Sequence, residues 1–264
     1  MRTGLDLSRA CYVEARGTSQ RRPPRPHPPR RHPPPPADAG PAVVICHGLS
    51  GSRLDMGGAY VRLAGRLTEH GIAFYRFDFA GCGESDGEPA DFTVSDRVSQ
   101  VGAVVDRLAE HQAVDADRIS LLGMSMGGLV AVVVAGTRPV RSLALWAPAG
   151  GSADMDHWTE EHVWGPLREN GYVDMGGWPV TAAFFDDVRG IDQFTAASRH
   201  GGPALLAGGA EDDLMDPKLT EPYRRVWGDR LEELLIEGVG HDFGAVAARE
   251  RLLAVTEEFL SRTA

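Results

Sequence analysis

The sequence has no long apolar run, few cysteines and almost no lysine. A bilayer-spanning helix needs about eighteen consecutive apolar residues and no segment provides them, so no membrane span is predicted. The N-terminus also lacks the apolar stretch of a secretory signal. The three cysteines (Cys11, Cys46 and Cys82) are odd in number and are not spaced like metal ligands. We therefore expect a protein of the reducing cytoplasm, without a disulfide framework or a metal site.

Acidic residues outnumber basic residues in the chain. The net charge is −10 at pH 7, and Lys218 is the single lysine among 27 basic side chains. This charge argues against a nucleic-acid partner for the folded part. A length of 264 residues suits one α/β domain with an insertion.

The first forty residues differ in composition from the rest. Residues 1–40 carry eight Arg against three acidic residues, and residues 21–36 consist only of Pro, Arg and His. Proline favours extended polyproline II and cannot donate to a strand ladder, so we predict a largely disordered, semi-rigid tail outside the core. Binding to a proline-recognising or acidic partner and an unselected start of the reading frame remain alternative explanations for the tail.

From residue 41, short apolar strands alternate with amphipathic helices. This alternation predicts an α/β fold with a mostly parallel central sheet that helices cover on both faces. The alternation of strands and helices is interrupted at residues 150–198. We therefore predict a core of residues 41–149 and 199–264 with a cap insertion between its two parts. The predicted strands are 42–46, 72–77, 118–122, 140–146, 204–207 and 231–236, and the predicted helices are 59–70, 93–111, 129–135, 217–227 and 245–262.

A G-x-S-x-G pentapeptide, residues 123–127, joins the third predicted strand to the helix that follows it. At such a tight turn the serine backbone is strained and the hydroxyl is exposed above the sheet. The N-terminus of the following helix favours developing negative charge. The pattern predicts that Ser125 is a nucleophile.

A serine hydroxyl needs a base within hydrogen-bond reach, and a carboxylate then orients that base. His241 follows the last predicted strand, at the sheet edge where open α/β sheets place their sites, and is the predicted base. The acid should follow the preceding strand, in the segment 208–217. Asp212 is the first candidate and Asp213 is the alternative.

Acyl chemistry also needs hydrogen-bond donors for the oxyanion. The turn at the nucleophile supplies the backbone N–H of Met126. The loop after the first strand, residues 47–53, supplies a second donor, which we expect to be the N–H of Leu49. His47 opens this loop and is interpreted as a residue that shapes it.

Five motifs follow one another along the chain: Cys46-His-Gly-Leu-Ser-Gly-Ser-Arg53, Arg76-Phe-Asp-Phe-Ala-Gly-Cys-Gly-Glu-Ser-Asp-Gly87, Gly123-Met-Ser-Met-Gly-Gly128, Gly209-Ala-Glu-Asp212 and Gly240-His241. On these motifs, residues 41–262 resemble the α/β-hydrolase superfamily, and within it the feruloyl/cinnamoyl esterase-like branch of small carboxylesterases. The resemblance implies an eight-stranded, mostly parallel sheet, no cofactor and an acyl-enzyme mechanism.

The chain departs from this family where two antiparallel strands usually precede the first parallel strand. The proline-rich tract takes their place, and only residues 10–15 resemble a strand. If both strands are absent, the sheet edge at residues 72–77 is exposed and invites pairing with another chain. We therefore predict either a homodimer through this edge or poor solubility, and a monodisperse monomer in light scattering would contradict this prediction.

The segment 150–198 is rich in aromatic residues. They predict either a pocket for an apolar or aromatic acyl group or the insertion's own core, and both interpretations stay open. The residues are Trp158, Trp164, Tyr172, Trp178, Phe184, Phe185 and Phe194.

Together these features predict a serine hydrolase that cleaves a small-molecule carboxylic ester or thioester, with Ser125, His241 and Asp212 as its catalytic triad. An acyltransferase or thioesterase with the same triad, a non-catalytic binding protein on a hydrolase fold and an adaptor that acts through its tail are the alternatives.

Overall fold

The computed structural model describes residues 39–151 and 159–264. The strands within them are β1 Gly40–Cys46, β2 Ala73–Tyr75, β3 Val114–Met124, β4 Leu143–Trp146, β5 Tyr172–Asp174, β6 Pro179–Thr181, β7 Ala204–Gly209 and β8 Leu231–Ile236. The α-helices are α1 Asp55–Glu69, α2 Val94–Ala109, α3 Met126–Ala135, α4 Gly165–Asn170, α5 Ala182–Val188, α6 Gln193–Arg199, α7 Pro217–Trp227 and α8 Val246–Thr263. Most of the predicted tail, including residues 10–15, lies outside the described residues.

Six of the described strands form one sheet in the order β2-β1-β3-β4-β7-β8, and every neighbouring pair is parallel. The predicted α/β fold with a mostly parallel central sheet is therefore confirmed. The sheet has six strands among the described residues rather than the eight that the resemblance implied, because none of these residues supplies the two strands that precede β1 in the family. β2 is consequently the outermost described strand on its side.

The central strands β1, β3, β4 and β7 are buried on both faces of the sheet, as their apolar sequences require. Val43 and Ile45 of β1 face one apolar cluster, while Ala42 and Val44 face the other. The first cluster is closed by α1 and α8, and the second by α2, α3 and α7. α3 is apolar around its whole circumference because α2 and α6 pack beside it.

The helix boundaries follow local chemistry. Thr93 precedes α2, and its hydroxyl accepts a hydrogen bond from the N–H of Asp96, which satisfies one of the unpaired donors of the first turn. In α1 the backbone is left-handed from Met56 to Gly58, so the regular helix begins near the predicted start at residue 59. The strand 231–236 and the helix 217–227 have the predicted bounds.

The described part of the segment 150–198 contains α4, the antiparallel pair β5–β6, α5 and α6. Its last helix packs against the core, because α6 contacts α3 and the Trp227 ring nitrogen of α7 donates to the Ala197 carbonyl at 3.1 Å. The domain boundaries at residues 150 and 198 remain a prediction. Within the described ranges, none of the helices combines the length and apolar character that crossing a bilayer requires.

Candidate active site

Ser125 lies at the turn between β3 and α3 with φ 54° and ψ −123°, a backbone conformation that costs a non-glycine residue free energy. Its N–H donates to the Trp146 carbonyl at 2.9 Å, and its carbonyl accepts from Ala149 N–H at 2.9 Å. A Cβ at Gly123 would overlap the carbonyl of Gly127, and a Cβ at Gly127 would overlap that of Cys46. The two glycines and the neighbouring strand thus hold the serine in its strained turn.

Two hydrogen bonds connect three side chains from different loops at this edge of the sheet. The Ser125 hydroxyl lies 2.9 Å from His241 Nε2, and His241 Nδ1 lies 2.9 Å from Asp212 Oδ2. Because a carboxylate only accepts, Nδ1 of the neutral ring carries the proton and donates it to Asp212. Nε2 is then the acceptor for the serine hydroxyl, which is the arrangement that general-base activation requires.

The structure brings Asp212, not Asp213, to His241. The Asp212 side chain is 2% exposed, and its second oxygen accepts from the N–H of Leu214 at 3.0 Å. Asp213 begins the 3₁₀ turn Asp213–Met215 and is exposed. A carboxylate that is held by a backbone donor and shielded from water can fix the orientation of the imidazole.

The loops that carry Asp212 and His241 lie directly against each other. The N–H of Glu211 donates to the Val239 carbonyl at 2.9 Å, and the N–H of Ala210 donates to the Ile236 carbonyl at 2.9 Å. Gly209 is so close to the Val239 carbonyl that a Cβ there would overlap it. The spacing of the two loops is therefore set by backbone contacts and not by flexible side chains.

Two backbone N–H groups beside Ser125 are available to an oxyanion. Neither the N–H of Leu49 nor that of Met126 donates to a protein acceptor within residues 39–151 and 159–264. The loop that carries Leu49 lies against Ser125, since a Cβ at Gly48 would lie 3.4 Å from the Ser125 Cβ. Both predicted donors are thus unpaired near the hydroxyl.

Residues 37–168, which are half of the chain, match the model of the Hydrolase_4 family, described as serine aminopeptidase, S33. The chain belongs to the Hydrolase_4 family. The uncharacterized protein Rv2307c of Mycobacterium tuberculosis (strain H37Rv) is 27% identical over 226 residues, covering 86% of this chain and 72% of the relative. The mitochondrial palmitoyl-protein thioesterase ABHD10 of Bos taurus is 29% identical over 118 residues, covering 44% of this chain and 36% of that protein.

Among solved structures, the chain is similar to Est1E from Butyrivibrio proteoclasticus with bound ferulic acid. The TM-score is 0.70 at 21% identity, and the match covers 86% of this chain and 90% of Est1E. A likeness at this identity establishes the shared fold. The family match and the shared fold confirm the predicted resemblance to esterase-like α/β-hydrolases.

In this Hydrolase_4 chain His47 is buried beneath the loop that carries Leu49. From the sequence, His47 is interpreted as a residue that shapes this loop. Its Nε2 lies 3.1 Å from the N–H of Phe79, which can only donate, so Nε2 is the acceptor and Nδ1 carries the proton. Nδ1 then donates to the Gly48 carbonyl at 2.9 Å. Burial, and next the positive charge of Arg97, lower the pKa of His47 from 6.5 to about 4. The ring is therefore uncharged at neutral pH and joins two loops.

The depressed pKa of His47 predicts a loss of stability in acid. The unfolded chain takes up this proton below about pH 6.5, but the folded protein does not until about pH 4, so the free energy of unfolding should fall as pH decreases between these values. The loss should approach about 3 kcal/mol, at 1.4 kcal/mol per pKa unit.

Urea unfolding of the protein and of a His47→Gln variant between pH 7 and pH 4 measures this effect. The variant should show a flatter pH dependence, because its side chain does not titrate. Burial also lowers the pKa of His200, but that residue is present in both proteins and cancels in the difference. Parallel curves for the two proteins would contradict the prediction.

Sequence reasoning missed the role of Asp78, which anchors the same loop to the segment after β2. Asp78 is buried, and its carboxylate accepts from the N–H of Arg53 at 2.7 Å, from the Arg53 guanidinium and from the N–H of Glu84 at 3.2 Å. A Cβ at Gly83, which has φ 54°, would overlap this carboxylate. The motif at residues 76–87 carried the family resemblance, and in the structure it holds the loop that presents Leu49.

Several cap aromatics are used in packing. The ring contacts are Trp164–Phe185 at 5.9 Å, Phe184–Phe185 at 5.3 Å, Phe92–Phe184 at 5.1 Å and Phe194–Tyr223 at 5.2 Å. These contacts favour the interpretation that such rings form the insertion's own core and its seam with the sheet layer. Trp158 lies outside the described residues.

No group of His, Cys, Asp and Glu in residues 39–151 and 159–264 could hold a metal ion.

Proposed function

We propose that this Hydrolase_4 member is a serine hydrolase that cleaves a carboxylic ester or thioester through an acyl-enzyme. The observation that carries the proposal is the pair of 2.9 Å hydrogen bonds from Ser125 to His241 and from His241 to Asp212. A nucleophile, a base and an orienting acid in direct contact are what acyl transfer requires. The free N–H groups of Leu49 and Met126 provide the oxyanion hole.

In the first half of the reaction, Ser125 Oγ attacks the carbonyl carbon while His241 Nε2 takes the hydroxyl proton. The negative oxygen of the tetrahedral intermediate accepts hydrogen bonds from the two N–H groups, each worth roughly 3 kcal/mol to the transition state. The imidazolium, stabilised by Asp212, then protonates the leaving alcohol or thiol as its bond to carbon breaks.

In the second half, water replaces the leaving group. His241 removes a proton from water as its oxygen attacks the acyl ester, and the second tetrahedral intermediate uses the same N–H donors. Collapse of this intermediate returns the proton to Ser125 Oγ and releases the carboxylic acid. No cofactor takes part in either half, since proton transfer and nucleophilic attack need only these side chains.

The substrate we propose is a small-molecule ester or thioester with an apolar or aromatic acyl group. Est1E binds ferulic acid, an aromatic acid, on the same fold, and the similar bovine protein is named a palmitoyl-protein thioesterase. The aromatic-rich composition of the insertion also supports such an acyl group, and packing within the insertion accounts for part of that composition. The thioester is kept as a second candidate substrate because of the thioesterase relative.

A substrate panel tests the proposal. The panel should contain p-nitrophenyl esters of acetate, butyrate, octanoate and ferulate, the matching thioesters, and an aminoacyl p-nitroanilide because of the family's name. We expect hydrolysis of esters or thioesters, and labelling of Ser125 by a fluorophosphonate probe located by peptide mass spectrometry.

The panel also separates the proposal from its alternatives. A non-catalytic binding protein would neither hydrolyse the panel nor react with the probe. An acyltransferase would give amide or ester products in preference to free acid when amines and alcohols compete with water. Cleavage of the p-nitroanilide alone would replace the ester proposal by a peptidase. The cytoplasmic location and the homodimer remain predictions that the panel does not address.

A further inference from the structure

Arg97 is a fully buried arginine on α2, beneath the loop that carries Leu49. Its guanidinium lies 4.8 Å from the Phe79 ring centroid and 4.6 Å from that of Phe92. No carboxylate among the described residues forms an ion pair with it, and its Nε has no hydrogen-bond partner. A buried charge without an ion-pair partner is costly, and an apolar side chain would pack there at lower cost.

The two hydrogen bonds of Arg97 reach the loop directly. Nη1 donates to the Gly48 carbonyl at 3.4 Å, and Nη2 donates to the Cys82 sulfur at 3.4 Å. The Gly48 carbonyl also accepts from His47 Nδ1 at 2.9 Å and from the N–H of Gly51 at 3.3 Å. Three donors thus converge on one carbonyl oxygen, and Arg97 is the only one of the three that carries a charge at neutral pH.

This carbonyl belongs to the same peptide unit as the N–H of Leu49. In a trans peptide the C=O and the N–H point in opposite directions, so donors that hold the carbonyl on one side fix the N–H on the other. A positive charge at the carbonyl end also polarises the peptide, which makes its N–H a stronger donor. The guanidinium therefore acts on the oxyanion hole from behind, without contact with substrate.

We propose that Arg97 is a positioning residue for the oxyanion hole: through the Gly48 carbonyl it orients and polarises the peptide that presents the Leu49 N–H. This inference rests on the proposed function, because it assigns Arg97 to the same Ser125 reaction.

Replacement of Arg97 by methionine tests the inference, because it keeps an unbranched apolar stem while removing the charge and both hydrogen bonds. We expect kcat to fall about tenfold, less than for deletion of an oxyanion donor itself, while KM changes less than about twofold. Affinity for a trifluoromethyl ketone, which forms an oxyanion when Ser125 adds to it, should fall by the same factor as kcat. Arg97→Lys keeps the charge and should lose only about threefold.

A matched control is Arg230→Met, since Arg230 also donates to backbone carbonyls, those of His200 and Gly202, but at the start of β8. This variant should retain the kcat and the ketone affinity of the parent protein. Thermal melting identifies the variants that fold. Folded Arg97 variants with the parent's kcat and ketone affinity would overturn the inference, and so would a fall in kcat without a matching fall in ketone affinity.

If both Arg97 variants fail to fold, Arg97 is a folding residue and the inference is also overturned. Failure of the proposed function looks different, because the parent protein itself would then show neither Ser125-dependent hydrolysis nor ketone binding. If only the Arg97 inference fails, the parent protein keeps both activities.

Discussion

Replacement of Ser125 by alanine is expected to lower kcat by about 10⁶-fold, the scale of loss when the nucleophile of a Ser-His-Asp triad is removed. The substitution removes only the hydroxyl group, whose hydrogen bond to His241 is partly exposed. The folded state should therefore persist. Steady-state kinetics on the best ester of the panel, together with thermal melting, measure both effects. A variant that hydrolyses the ester at the parent's rate would show that another residue is the nucleophile.

A second substitution at Ser125 separates catalysis from backbone strain. The φ of 54° strains alanine as it does serine, whereas glycine adopts this conformation freely. Ser125→Gly should therefore be as inactive as Ser125→Ala and more stable than it by about 1 kcal/mol. Urea unfolding of the two inactive variants measures the difference, and equal stabilities would mean that the turn is not strained.

The strained turn at Ser125 could be predicted from sequence because its signal is local. Gly123 and Gly127 lie two residues either side of Ser125, and the structure accounts for this spacing by the overlaps that a Cβ at either glycine would create. The strand before the turn and the helix after it also have strong apolar patterns, so their existence could be read from the sequence. Strand lengths were less accurate, since β3 begins at Val114 and not at residue 118.

The sequence alone could not decide whether Asp212 or Asp213 contacts His241, because neighbouring side chains differ in direction, not in chemistry. Asp212 has an extended backbone (φ −92°, ψ 114°) and precedes the 3₁₀ turn, so its carboxylate faces both Leu214 N–H and His241. Asp213 is already in the turn and faces solvent. Both are aspartates in one acidic loop, and the start of a 3₁₀ turn has no sequence signal strong enough to separate them.

The burial of Arg97 was not predicted, although the sequence contains a signal for it. On α2 Arg97 lies three residues after Val94 and four before Val101, both of which are buried, so it occupies the apolar face of the helix. A charged residue at such a position predicts a buried polar contact. The partner could not have been inferred, since the Gly48 carbonyl lies in a loop 49 residues away along the chain.

Asp212→Asn should lower kcat by about 10⁴-fold with little change in fold, because the amide keeps the shape of the carboxylate but reverses part of its hydrogen bonding. An asparagine NH₂ that faces Nδ1 favours the tautomer with the proton on Nε2, which cannot accept the hydroxyl proton of Ser125. It also leaves the imidazolium of the transition state without a negative partner. The loss would appear in kcat and in kcat/KM alike.

Asp213→Asn is the matched control, since it removes the same charge from the adjacent position of the same loop. Asp213 is exposed and does not contact His241, so its substitution should change kcat less than about twofold and stability by less than about 0.5 kcal/mol. Kinetics of the two variants on one ester decide between the two aspartates. A larger loss for Asp213→Asn would transfer the acid to the neighbouring residue, and similar small losses for both would mean that His241 works without an orienting carboxylate.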